Sequence, residues 1–234
     1  MATAKHKRYA YVDESGQDTK GELFLVAVVV TESERDALRR RLGEIERESG
    51  KCERKWTKTP RDERSRYPER IISLPDLARH LYFSSYRGAQ TYVDLTILST
   101  AKALNAAAHG VFEATIFVDG LGRKERHRFA AGLRKLRITV RKVRGVRDES
   151  DEFTRLADAI AGFVRDALGG DETMRGLLEL LQIQFGRVAA RAIVRRTPGA
   201  PPIVAPGPRL RENCHRHFGQ TGWPGMIPCP HFGH

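Results

Sequence analysis

The chain contains no apolar run long enough to cross a bilayer, which takes roughly 20 residues. Its longest greasy stretch, residues 23–30 (LFLVAVVV), reads as a buried strand, and no membrane partner is expected. Cysteine is scarce. Cys52, Cys214 and Cys229 cannot all pair internally, so nothing suggests a disulfide framework, and a reducing, cytoplasmic setting is expected. The start, MATAKHKRYAY, has no apolar segment before a small-residue cleavage site, so no secretory signal is expected. Internal repeats are absent. Acid is in deficit as well, with 29 Asp and Glu against 41 Lys and Arg, a formal charge of +12. A surplus of that size favours polyanions through long-range attraction and counterion release.

What is present suits a globular body. Hydrophobic residues make up 40% of the 234 and charged residues 30%, so a core can form and global disorder is unexpected. Two regions differ in kind. Residues 1–196 carry 38 Lys and Arg against 28 Asp and Glu, and read as one domain. Residues 197–234 hold eight of the eleven prolines and half of the eight histidines, and read as an irregular or disordered tail. Within that tail, Cys214, His215, His217, Cys229 and His231 allow a zinc reading, although structural zinc modules favour two cleaner pairs.

Hydrophobic periodicity predicts the order β-β-α-β-α-β-α-β-α-α. Residues 9–12 and 23–30 form two strands joined as an antiparallel hairpin through the turn at 16–21. A charged helix follows at 32–48, with Ala37, Leu38, Leu42 and Ile45 as its apolar stripe, Thr31 or Ser33 as cap and Gly50 as stop. Residues 51–70, broken by Pro60 and Pro68, read as a long loop or short helical pieces. Strands at 80–87, 111–118 and 137–144 alternate with helices at 91–108, 123–135 and 152–168, and a last helix covers 172–195. Two hairpin strands followed by β-α units imply a mixed sheet flanked by helices.

Two strands end in acid. Tyr9–Val12 runs into Asp13-Glu14-Ser15-Gly16, and residues 111–118 run into Asp119-Gly120. Asp, Ser and Gly are ordinary turn residues, so punctuation is one reading. The other is a ligand site, since open α/β sheets bind outside the carboxyl ends of parallel strands. If these two strands are parallel neighbours, their backbones lie about 4.8 Å apart. Two ionised carboxylates at ~5 Å repel by roughly 3 kcal/mol at an effective dielectric near 20, and such a pair calls for a cation or a shared proton. Oxygen donors without nearby His or Cys point to Mg²⁺ or Mn²⁺. A third acid, Asp158, sits in the helix at 152–168 beside Ala157, Ala161 and Gly162, whose small size permits close backbone approach. On a helical wheel it lies nearly opposite the greasiest stripe, where solvated residues usually lie.

In order along the chain, Asp13-Glu14-Ser15-Gly16, Phe117-Val118-Asp119 and Leu156-Ala157-Asp158-Ala159-Ile160-Ala161-Gly162 resemble the three motifs of domain-of-unknown-function family 3800. That family in turn resembles the ribonuclease H-like (retroviral integrase) superfamily. The resemblance implies a ribonuclease H-like α/β fold, a mixed sheet flanked by helices. It further implies a two-metal phosphoryl-transfer site, with Asp13 bridging two Mg²⁺ or Mn²⁺ ions and Asp119 and Asp158 completing the set. Glu14 and Asp151 are additional ligand candidates, and Asp94 is a positional candidate for the helix-borne acid of many such enzymes.

Basic residues near these motifs suggest how a substrate is held. Lys55 and Trp56 pair a cation with an aromatic, suited to a phosphate and a base, although a tryptophan covering a core edge is the simpler reading. Arg123, Lys124 and Arg126 begin just after Asp119 and extend toward Arg134, Arg141 and Arg144 as a possible phosphate track. The expectation is a divalent-metal-dependent nuclease, or a related phosphoryl-transfer enzyme, acting on DNA or RNA. The competing expectation is a non-catalytic basic module that binds nucleic acid or a partner on the same fold. Other α/β nucleases with strand-end acids, Toprim- or PIN-like, would differ in strand order.

Overall fold

The structure, a computed structural model, describes residues 6–17, 22–32, 34–146, 151–189 and 195–196. The chain divides into two units, residues 1–200 and 201–234, and the whole of the second lies outside the described residues. So does the zinc reading of Cys214, His215, His217, Cys229 and His231.

Alternating apolar residues build a six-stranded sheet. Its strands are β1 (His6–Ser15), β2 (Phe24–Thr31), β3 (Leu81–Arg87), β4 (Phe112–Asp119), β5 (Val140–Val146) and the two-residue β6 (Arg195–Arg196). Their spatial order is β5-β4-β1-β2-β3-β6. Strand β2 runs antiparallel to β1 and β3, while β1, β4 and β5 run parallel. The expected hairpin and the expected mixed sheet flanked by helices are both present.

Seven helices cover the two faces among the described residues. They are α1 (Arg35–Ser49), α2 (Arg61–Ile72), α3 (Pro75–Ala78), α4 (Tyr92–Ala107), α5 (Arg123–Lys135), α6 (Glu152–Gly169) and α7 (Glu172–Ala189). One face of the sheet presents Tyr11, Leu25, Ala27 and Val29 to a core with Leu42 of α1, Ile71 of α2, Phe163 of α6 and Leu181 of α7. The other presents Ala10, Val12, Val26 and Val28 to Ile97 and Leu104 of α4 and to Phe129 and Leu133 of α5. Covered on both sides, β2 is buried at every position, which is why its sequence reads as an unbroken apolar run.

Three elements depart from expectation for identifiable reasons. A helix, α2, stands where prolines suggested a loop. Pro60 precedes its first turn, and Pro68, inside it, is buried with Tyr67, Ile71 and Ile72. Burial of that face outweighs the ~3 kcal/mol that an interior proline costs. Helix α1 is capped by Glu34 with no side-chain cap bond, in place of Thr31 or Ser33, and Gly50 ends it in the left-handed conformation as expected. Strand β5 carries an extra residue: Ala114 pairs with Val140 but Thr115 pairs with Lys142, leaving Arg141 as a bulge. The bulge turns both Val140 and Val143 toward the α5 face, so the strand's alternation looks irregular in sequence.

Candidate metal centre and its surroundings

Register brings the two strand-end acids together. Tyr11 pairs with Phe117 and Val12 with Val118 across the parallel β1–β4 ladder, so Asp13 and Asp119 follow as neighbours at the carboxyl ends. Strand alternation places both on the face of Tyr11 and Phe117, the α6 face. Those two rings stack with centroids 4.8 Å apart and planes 8° from parallel, and Phe153 of α6 closes on Tyr11 at 4.8 Å. The aromatic stack therefore forms a rigid apolar floor one step below the carboxylates. Burial there pushes the Tyr11 hydroxyl up to about 12.

Asp158 reaches the same place from α6. A cavity of about 1020 Å³ is lined by Asp13, Glu14, Asp119, Asp158, Glu125 and Asp166, with Lys55, Arg64 and Arg165 contributing positive charge. Although Asp158 lies away from the greasy stripe, it is half-buried, and its Oδ2 accepts the backbone N–H of Trp56 at 2.7 Å.

Gly16 and Gly120 let the chain turn away from the two acids. Gly16 has φ +95°, and a Cβ there would sit 1.9 Å from the Leu23 carbonyl oxygen. Gly120 has φ +63°.

Glu14 occupies the opposite face of β1, next to α4. Gln17 Nε2 donates to it at 2.5 Å and Thr96 is a further hydrogen-bond neighbour. Burial raises its carboxyl above the ordinary value, the hydrogen bonds with Thr96 and Gln17 offset part of that rise, and the charge of Glu125 adds to it. It meets the cavity around the end of the strand, from the other side of the sheet.

Several expected partners are engaged elsewhere. Asp151 is the N-cap of α6: it accepts the Phe153 N–H at 2.9 Å and pairs with Arg39. Asp94 is exposed on α4 and pairs with Arg128 at 2.9 Å. Neither lines the cavity. Trp56 is 3% exposed and covers a core edge, so its ring is closed to a stacking base. Lys55 does line the cavity, and also a neighbouring one of about 770 Å³ with Arg47, Arg54 and Lys58. Arg123 and Arg126 line a separate cavity on α5, and Lys124 lies between them, exposed and lining neither.

Sequence reasoning missed the apparatus around Trp56. Its indole lies on Gly162, where a Cβ would come within 2.1 Å of Cδ1. Its Nε1 donates to Asp166 Oδ2 at 2.8 Å, and the Arg64 guanidinium sits 5.6 Å from the ring centroid. The small residue after Ala161 was the available signal. Beneath this segment lies a buried ionic group. Arg155 makes a two-pronged contact with Glu46 (2.8 and 2.7 Å), and fully buried Lys51 lies 3.7 Å from Glu46 while donating to the Arg54 carbonyl at 2.8 Å. Burial pulls the Lys51 ammonium below its ordinary value, against the opposing pull of Glu46 and Asp158.

The donor chemistry suits a hard divalent ion, because every acidic ligand candidate offers oxygen. Among the described residues, no group of three or more His, Cys, Asp or Glu is gathered tightly enough to hold a metal by itself. Mg²⁺ commonly uses one or two carboxylates, with water and substrate phosphate completing its shell, and the adjacent strand-end pair meets that requirement.

No protein-family model and no curated protein matches the chain. Among solved structures it is similar to ribonuclease H2 from Pyrococcus horikoshii OT3, at 18% identity and TM-score 0.41, over 76% of this chain and 89% of that one. It is also similar to ribonuclease HII of Archaeoglobus fulgidus, solved with PCNA, at 16% identity and TM-score 0.42, over 76% and 90%. Bst-RNase HIII in complex with Mn²⁺ aligns at 15% identity and TM-score 0.43, over 80% and 66%. With TM-scores below 0.5, these likenesses carry no weight for the chemistry of the centre.

Proposed function

We infer that the chain is a divalent-metal-dependent nuclease, or a related phosphoryl-transfer enzyme acting on nucleic acid, of the kind its resemblance to domain-of-unknown-function family 3800 implies. The observation that carries this reading is the adjacency of Asp13 and Asp119 at parallel strand ends, facing α6 and sharing one cavity with Asp158. In this reading Asp13, Asp119 and Asp158 hold Mg²⁺ or Mn²⁺, two ions in the full arrangement, with Glu14 as an additional ligand from the opposite face. A bound divalent ion lowers the pKa of its water and neutralises charge building on a phosphodiester.

The chain's own residues do the rest. Lys55, Arg64 and Arg165 line the same cavity and would meet a phosphate there once divalent ions offset the carboxylates. The Trp56 N–H fixes the orientation of Asp158, and Gly162 with Asp166 holds Trp56 in place. No side-chain nucleophile is required.

The second reading, a non-catalytic basic module binding nucleic acid or a partner, draws on the formal charge of +12. One assay separates the two: hydrolysis of single- and double-stranded DNA and RNA with Mg²⁺, with Mn²⁺ and with chelator. The nuclease reading expects cleavage that needs the ion and is lost in Asp13→Asn and in Asp119→Asn, each still folded. Full activity in both variants contradicts the site. Salt-sensitive binding that ignores both metal and these substitutions supports the binding module.

A further inference from the structure

Helix α5 carries a second, separate cluster of charge. Arg123, Arg126, His127, Ala130 and Arg134 fall at i, i+3, i+4, i+7 and i+11, which puts them on one face of the helix. With Val143 of β5 they line a cavity of about 280 Å³. No acid lines it. Glu125 is turned to the carboxylate cavity, where its Oε2 also accepts the Gly122 N–H at 3.1 Å, and Asp94 is taken by Arg128 on another side of the helix.

Three guanidinium groups and an imidazole thus share one hollow, with no counter-charge among the described residues of its lining. Like charges at this spacing repel unless an anion sits among them. Arg126 sharpens the point. Its Nε is buried and has no hydrogen-bond acceptor among the described residues, which is costly for a charged donor. At the far end, Arg134 reaches the Val140 carbonyl only at 3.5 Å.

We propose that this α5–β5 groove is a phosphate-binding subsite that anchors the nucleic-acid backbone beside the carboxylate centre, with Arg123, Arg126, His127 and Arg134 as its donors. The proposal rests on the nuclease reading for its ligand. The volume lies just below the ~300–1,000 Å³ of pockets that enclose drug-sized molecules, and suits a phosphate better than a whole nucleotide. Position argues for a polymer. Helix α5 starts directly after Gly120 and Leu121, which line the carboxylate cavity, and the stripe extends from there for about 17 Å at 1.5 Å per residue. At ~3.4 Å per nucleotide along one strand, that length follows roughly five nucleotides. Gly145 keeps β5 tight against this junction, since a Cβ there would sit 2.1 Å from the Leu121 carbonyl oxygen.

The test is binding of the full chain to fluorescein-labelled single-stranded and duplex oligonucleotides, by anisotropy in chelator, from 50 to about 200 mM salt. For the double variant Arg126→Ala/Arg134→Ala, the slope of log K against log salt is expected to be shallower by ~1.4 for single strands or ~1.8 for duplex, from two lost phosphate contacts. Arg40→Ala, which removes an exposed charge on α1 in the opposite layer, is expected to keep the wild-type slope. Thermal unfolding checks that each variant is folded.

An unchanged slope in the folded double variant overturns the subsite. So does a result in which inorganic phosphate raises the wild-type melting temperature, the double variant loses that rise and the oligonucleotide slope stays the same, because the groove then takes a small free anion only. Failure of the nuclease reading looks different. A slope that responds to the double variant, in a wild type that cleaves nothing with Mg²⁺ or Mn²⁺, supports the subsite and removes the enzyme.

Discussion

At the carboxyl ends of β1 and β4 the two faces of the sheet are built differently. The α6 face stacks Tyr11 on Phe117, sets Asp13 beside Asp119 above them, and brings Asp158 in with its oxygen held by a backbone N–H. On the α4 face, Glu14 stands near Thr96 and Gln17, and burial raises its carboxyl above the ordinary range. Asp13 and Glu14 are consecutive residues, yet period-two geometry sends them into these two environments. On one face three carboxylates share a cavity and Asp158 is aimed by a backbone N–H; on the other, burial makes charge costly. An acidic doublet at a strand end is therefore two separate pieces of chemistry.

The largest expected effect tests that asymmetry by activity. Asp13→Asn or Asp119→Asn is expected to leave less than about a hundredth of wild-type cleavage, since changing even the outer partners of a metal ligand costs 10–100-fold. Glu14→Gln is expected to cost less than either. Equal losses from all three would erase the distinction between the faces.

The α6 face also rests on buried charge. Glu46 is 2% exposed and holds both Arg155 and Lys51, so Glu46→Ala is expected to destabilise the fold by about 3–5 kcal/mol, read by urea unfolding. A loss under ~1 kcal/mol would show that these ions are hydrated and not supporting the face.

Gly162→Ala puts a methyl into the Trp56 ring and is expected to cost about 1–3 kcal/mol by overpacking, with a shift in tryptophan emission as the indole leaves its seat. Activity is expected to fall with it, because the amide that orients Asp158 moves too. An unaltered emission spectrum with lost activity would assign Gly162 a role other than seating Trp56.

The smallest effect concerns pH. Because the folded-state carboxyl of Glu14 is raised above its unfolded value near 4.5, the folded state binds the extra proton. Stability from this group is full below pH 4.5 and is lost as pH rises through the folded value. Glu14→Gln is expected to flatten that decline in chelator, leaving the variant more stable relative to wild type at neutral pH than in acid. Parallel stability curves for the two proteins would place Glu14 in water, and the two faces would then be alike.

Much of the fold was legible because its signals are local. The apolar run ending at Asp119 marked the end of β4, and the one ending at Asp13 marked where β1 leaves β4, although β1 itself runs on to Ser15 beside β2. The amphipathic spacing of Phe153, Leu156, Ile160 and Phe163 marked α6. What escaped sequence reading depends on partners distant in the chain. The β1–β4 pairing that makes Asp13 and Asp119 neighbours was only a condition until the register was known. Trp56 donates to Asp158 through its backbone, and a backbone donor has no sequence signature. Glu46 looked like one more charge on a polar helix until Arg155, more than a hundred residues away, arrived beside it. The bulge at Arg141 hid which side of β5 faces α5, so the basic track read from sequence included Arg141 and Arg144 where Val143 lines the groove.

The most direct test of the centre is Mn²⁺ binding without turnover, followed by loss of the free-ion electron paramagnetic resonance signal on titrating the protein. Wild-type protein is expected to bind Mn²⁺, Asp13→Asn and Asp119→Asn are each expected to weaken that binding at least tenfold, and Asp94→Asn, in the exposed pair with Arg128, is expected to match wild type. Equal Mn²⁺ affinity in wild type, Asp13→Asn and Asp119→Asn would contradict the account, because the two neighbouring strand ends would then hold no ion.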